Sequence, residues 1–160
     1  MEIIFTKTQQ VVSEQEFRNM YPNTSFPSVL TADVLADYEA ESVFEGKQVN
    51  PLPPYEYSFR NGVEKINGKY FTKYSIGPIF IDTDDKTADD QQAEYKATID
   101  AQLASGIRNT RNQLLKDSDW TQISDATVDK DAWLAYRCQL RDITLQKGFP
   151  LTVKWPAEPV

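Results

Sequence analysis

Between Lys86 and Lys116 the chain has no proline and a single glycine, Gly106. Within that stretch Tyr95, Ile99, Leu103, Ile107 and Leu114 recur at spacings of four, four, four and seven residues. The periodicity predicts a long helix with a narrow apolar stripe. Such a helix should pack along a partner helix, and Gly106 is where a kink or interruption is expected. Ser118-Asp119-Trp120 should end it. A second helix is predicted from Asp129 as N-cap, with Asp131 in its first turn. Trp133, Tyr136, Leu140 and Ile143 line one face of that helix at spacings of three, four and three. Gly148 fits the residue just past its end, and Pro150 blocks continuation. The last residues, 151–160, should be extended.

Apart from Pro156 and Pro159 in the last residues, the other prolines and glycines crowd into the first half, which reads as mixed α and β. Ile3-Ile4-Phe5 and Val11-Val12 are short β-prone runs. Ser13-Glu14-Gln15-Glu16 has the form of a capping box before a short helix over 14–20. Thr31 caps a predicted helix over 32–39, whose Val34, Leu35 and Tyr38 share a face. Ser42-Val43-Phe44 is a candidate strand. Pro51, Pro53 and Pro54 make a stiff connector. Two alternating aromatic runs follow, Tyr55–Phe59 and Lys69–Ile76, with Asn61-Gly62 and Asn67-Gly68 as turn dipeptides; they predict an antiparallel meander of two or three strands. Charge divides the chain too: residues 1–85 carry 7 basic and 13 acidic side chains, against 10 and 11 for residues 86–160. The expected organisation is α+β, with a mixed domain over 1–85 and a helical hairpin domain over 86–160.

Composition excludes several chemistries. The chain has no histidine, which removes His-based triads, His-ligated metals and the usual near-neutral base. One cysteine, Cys138, makes neither an internal disulfide nor a thiolate zinc site. A net charge of −7 is a poor match for nucleic acid or anionic lipid. No apolar run approaches the ~18 residues of a membrane span. MEIIFTKTQQ lacks the pattern of a secretory signal. The expectation is a soluble intracellular protein that binds other proteins and uses no cofactor or metal.

Individual clusters carry competing readings. Asp82, Asp84, Asp85, Asp89 and Asp90 alternate as calcium ligands could, but Thr87 stands where that loop needs glycine and Ala93 where it needs glutamate. A solvated linker that favours the following helix N-terminus is the simpler account. No carboxylate pair is singled out for glycoside hydrolysis. Cys138 lacks a base to activate it, and a half-buried helix position is expected. Arg108 and Arg111 are spaced i,i+3, and Arg137 and Arg141 i,i+4. These arginines either anchor a partner's carboxylates or pair internally with Asp117, Asp119, Asp125 or Asp142, with Arg137 stacking on Trp133. All three tryptophans, at positions 120, 133 and 155, fall in the last part of the chain. They either staple the hairpin to the tail or face a partner.

The ordered series Arg111, Leu114, Ser118-Asp119-Trp120-Thr121, Trp133, Tyr136-Arg137, Leu140-Arg141-Asp142-Ile143, Gly148-Phe149-Pro150 and Trp155-Pro156 resembles the C-terminal module of bacteriophage tail fibre assembly proteins, the tail assembly chaperones. Phe17-Arg18, Pro22–Pro27 and Leu30-Thr31 resemble the opening of such proteins, while 40–106 is looser. Cys138-Gln139 stands where the family has Gln-Ala. The resemblance implies a non-enzymatic protein of the host cytoplasm that helps a trimeric tail fibre protein fold, trimerise or mature. It would bind the fibre's distal C-terminal region, with a homotrimer on the fibre in keeping with its symmetry. A second implied role is a virion component kept at the fibre tip, with the Tyr-rich meander contacting a host receptor. Candidate partner-binding residues are Arg108, Arg111, Trp120, Trp133, Tyr136, Arg137, Arg141 and Trp155.

Overall fold

A computed structural model describes residues 1–159. It divides into two compact units, Met1–Ile79 and Phe80–Val160. The class is α+β, with a mixed five-stranded sheet in the first unit and helices in the second.

The first unit contains β1 (Glu2–Phe5), β2 (Val11–Ser13), α1 (Glu14–Met20), α2 (Ala32–Ala36), β3 (Ala40–Phe44), β4 (Tyr57–Ile66) and β5 (Lys69–Gly77). Sheet order is β2-β1-β3-β5-β4. All neighbours are antiparallel except β3 and β5, which pair in parallel through Val43–Tyr70 and Phe44–Phe71. Strand alternation sends Ile3, Val12 and Ala40 to one face, where α1 and α2 cover them. Fully buried Phe17 from α1 is the hub, with the rings of Phe5, Tyr21, Phe26 and Tyr38 around it at centroid distances of 5.4 to 5.8 Å. The capping box at Ser13 and Glu16 starts α1 as the sequence indicates. The other face gathers Ile4, Val43 and Tyr70, with Val11 and Val63 against them. The far strand β4 curls over this inner face: Val63 joins the cluster and Arg60 pairs with Glu2 of β1.

Three local expectations change. The second helix ends at Ala36, not 39, because Glu39 adopts φ 52 and turns the chain into β3. Its carbonyl then accepts from the Thr6 N–H at 2.8 Å. Asn61-Gly62 is not a turn but a bulge inside β4: the register slips between Arg60 and Val63, and Gly62 takes φ 84. Asn67-Gly68, at φ 48 and 80, is the true hairpin turn, so the aromatic runs form one hairpin. That hairpin joins the sheet through a parallel contact to β3, which an antiparallel meander does not anticipate.

The second unit contains α3 (Ala88–Asp117), a 3-10 turn (Asp119–Gln122), α4 (Lys130–Arg141), a second 3-10 turn (Asp142–Leu145) and a tail. Thr87 caps α3 by accepting from the Asp90 N–H, with Asp89 and Asp90 in the first turn. Gly106 lies inside one continuous helix. At ~1.5 Å per residue α3 is about 45 Å long and α4 about 18 Å. Pairing along a partner helix is therefore realised only near the α3 C-terminus. There Leu114 and Leu115 pack on buried Trp133, Tyr136 and Leu140, with Val128 and Trp155 closing the cluster. Further back, Tyr95, Ile99, Leu103 and Ile107 stay half-buried, with the Phe80 ring 5.7 Å from Tyr95. Asp129 caps α4 through the Ala132 N–H. The helix ends at Arg141, so Gly148 is not its terminator. Gly148 instead lets the tail cross closely: its carbonyl accepts from the Thr152 N–H, and a Cβ there would meet the Thr152 carbonyl oxygen at 2.9 Å.

Candidate partner-binding surface

The C-terminal end of α3 exposes carbonyls that need partners. The Ser118 hydroxyl lies 2.8 and 3.0 Å from the Leu114 and Leu115 carbonyl oxygens, and Arg137, buried in α4, adds a second donor at Leu115. One terminal nitrogen donates to the Leu115 carbonyl at 2.6 Å and to Ser118 Oγ at 2.7 Å; the other donates to Asp119 Oδ1 at 2.7 Å. Arg137 is 6% exposed, whereas the Asp119 side chain is 65% exposed. The guanidinium thus caps a helix C-terminus and pins the following 3-10 turn, a role suited to a planar multi-donor cation. Its Nε is buried without a partner among the described residues. Buried Thr121 holds the turn from inside, donating to the Ser118 carbonyl at 2.7 Å. Lys130 closes the far end, donating to the carbonyls of Ile123 and Ser124 at 2.8 and 3.0 Å.

This clamping leaves Trp120 on the outside. It is 53% exposed and meets Trp133 edge-on at 5.9 Å; Trp133 in turn meets Tyr136 at 5.6 Å and 89°. Burial pushes the Tyr136 hydroxyl above its ordinary pKa, and the charges of Glu158 and Asp117 add to that. The tail is tied by Gln146, whose side-chain amide donates to the Lys154 carbonyl and accepts from its N–H at 2.9 and 2.7 Å. That tie seats half-buried Trp155 against the aromatic cluster.

The eight candidate residues therefore separate by position. Trp133, Tyr136 and Arg137 lie inside the unit and support its surface. Trp120, Arg108 and Arg141 are exposed, and Arg111 and Trp155 are half-buried. Arg108 stacks over the Phe149 ring at 5.4 Å, and Arg111 Nε donates to Asn112 Oδ1. Of the internal partners considered for the arginines, Asp119 is the one Arg137 takes. Ile123 and Leu134, each about half exposed, were not singled out by sequence. Leu134 falls off the Trp133–Tyr136 stripe, and that alone is a usable signal for an outward apolar residue. The acidic cluster ahead of α3 serves the helix start, with Asp82 accepting from the Ala88 N–H at 2.7 Å. Among the described residues no group of acids and Cys138 is arranged to hold a metal ion, and no helix is long and apolar enough to cross a membrane.

Residues 104–160 match the family model described as phage tail assembly chaperone protein. No curated protein matches the chain, and no solved structure does. The matched stretch begins inside α3 and takes in the Arg137 clamp, the Trp120 turn, α4 and the Trp155 tail. It supports a role in phage tail assembly as a chaperone. The first unit and the N-terminal half of α3 lie outside it.

Proposed function

We propose that this protein is a phage tail assembly chaperone that binds the distal C-terminal region of a tail fibre protein and assists its folding and trimerisation without catalysis. The observation that carries the reading is the family match over 104–160, which falls on the unit that displays Trp120. Trp120, Arg108 and Arg141 form the contact surface with Arg111 and Trp155 at its margin, while Trp133, Tyr136 and Arg137 hold it rigid. A tryptophan on a rigid base loses little conformational entropy on binding and suits an interface hot spot. The client is a slow-folding β-rich chain with open strand edges before assembly. Without an energy source the chaperone acts by binding the assembly-competent form better than its alternatives.

The test is co-expression with the tail fibre gene of the same phage, followed by size exclusion with light scattering. Fibre that becomes soluble and trimeric only with this protein supports the reading. A lasting complex of fixed ratio that persists into purified particles would favour a fibre-tip virion component. Fibre indifferent to its presence overturns the proposal.

A further inference from the structure

The sheet of the first unit has two edges, β2 and β4. The β2 edge is 3 residues long and the β4 edge 10. Every β4 residue except Phe59 and Val63 is exposed. Proteins blunt such an edge with charges that discourage a further strand. Here the two β4 cations turn away from that task. Arg60 pairs with Glu2 and Lys65 with Glu41 across the inner face, and the Lys65 ammonium lies 4.5 Å from the centre of the Tyr70 ring.

The hairpin turn fixes which backbone groups the edge presents. Ile66 and Lys69 close the two-residue Asn67-Gly68 turn and so form a hydrogen-bonded pair. Pairs alternate along an antiparallel ladder, so Lys65–Tyr70 and Val63–Thr72 are the non-hydrogen-bonded ones. The N–H and C=O groups of Val63 and Lys65 therefore point away from β5. Among the described residues no strand pairs with that side of β4. Alternate donors and acceptors in one line match an extended segment, since a helix has already used its own backbone groups.

We propose that the outer edge of β4 at Val63–Lys65 is a strand-accepting site that pairs with an extended segment of the unassembled tail fibre chain. This rests on the chaperone reading above and adds a second contact, outside the family-matched residues. Pairing would shield the open edges of client and chaperone together, and would be surrendered when the fibre's own strands compete for the segment.

The test compares backbone amide hydrogen exchange in the full-length protein alone and in complex with the co-expressed tail fibre chain. The amides of Val63 and Lys65 are expected to slow at least ~10-fold in the complex, as paired edge groups do. Lys65→Pro removes the outward N–H without touching a ladder bond to β5 and should weaken fibre capture well below that of Lys65→Ala, which loses the same side chain but keeps the N–H; equal capture by the two variants overturns the edge site. Unchanged exchange at Val63 and Lys65 in a complex that still forms overturns the edge site and leaves the chaperone reading standing. Slowing that grows with concentration in the protein alone also overturns it, in favour of copies pairing edge to edge. A fibre that never associates with the parent protein overturns both.

Discussion

Arg137 caps a carbonyl 22 residues earlier in the chain, and that separation explains what could be read about it in advance. Its i,i+4 spacing with Arg141 makes both look like one surface feature. Burial separates them: Arg141 is exposed, whereas Arg137 is inside the unit with three acceptors around it. Pairing with a nearby aspartate was legible because Asp119 belongs to the short set of acids flanking the hairpin. Capping of the Leu115 carbonyl was not, because only the closed hairpin brings α4 to the end of α3. Removing the guanidinium takes away three hydrogen bonds that tie α4 to the end of α3 and the turn after it, so Arg137→Ala should lower stability by about 1.5–3 kcal/mol. Asp119→Asn should cost far less, because asparagine keeps an Oδ1 acceptor for Arg137 at a side chain that is mostly solvated. Urea denaturation followed by tryptophan fluorescence checks both, since all three tryptophans lie in this unit.

Elements whose starts are fixed by neighbouring residues were the most legible. Ser13-x-x-Glu16, Thr31 and Asp129 each cap the helix that follows them, as the sequence indicates, because a cap needs only a side-chain oxygen within three residues; Thr87, weighed there only as a poor calcium-loop residue, caps α3 in the same way. The capping box also gives α1 a pH signature. The backbone N–H and hydroxyl of Ser13 bond the Glu16 carboxyl and hold its pKa below the ordinary value. A lowered folded-state pKa contributes stability above the unfolded pKa of ~4.3 and loses it as pH falls through the folded value. Wild type should therefore exceed Glu16→Ala in α1 amide protection at neutral pH, with the gap narrowing as acid protonates the carboxyl. What stayed hidden was non-local. The parallel β3–β5 contact joins segments separated by the proline connector, and Asn61-Gly62 carries the same local turn chemistry whether it turns or bulges. At Gly106 the helix continues because packing and length outweigh one weak residue. No atom lies within 4 Å of a Cβ built there, so Gly106→Ala should stabilise α3 by about 0.5–1 kcal/mol, read as a rise in the tryptophan-detected urea midpoint.

At the scale of the whole molecule, the function proposed above assigns stability and partner binding to different residues of one aromatic series. Trp133 is buried at the centre of the second unit's core, and its truncation to alanine should cost about 3–5 kcal/mol, a large fraction of the stability of a unit of this size. Trp120 touches the same ring from outside with half its surface in water, so Trp120→Ala should leave the urea midpoint nearly unchanged. If Trp120 is the anchor of the fibre contact, that folded variant should nonetheless fail to keep co-expressed fibre soluble, because truncating a hot-spot tryptophan costs ~2 kcal/mol or more of binding. Arg108→Ala with Arg141→Ala should weaken capture by less and make it less sensitive to salt, as expected of rim charges. Light scattering of the co-expressed complex, run beside the denaturation curves, separates the two effects. A Trp120→Ala protein that folds and still delivers soluble trimeric fibre would move the contact off this turn while leaving the Arg137 clamp as the structural core of the family-matched module.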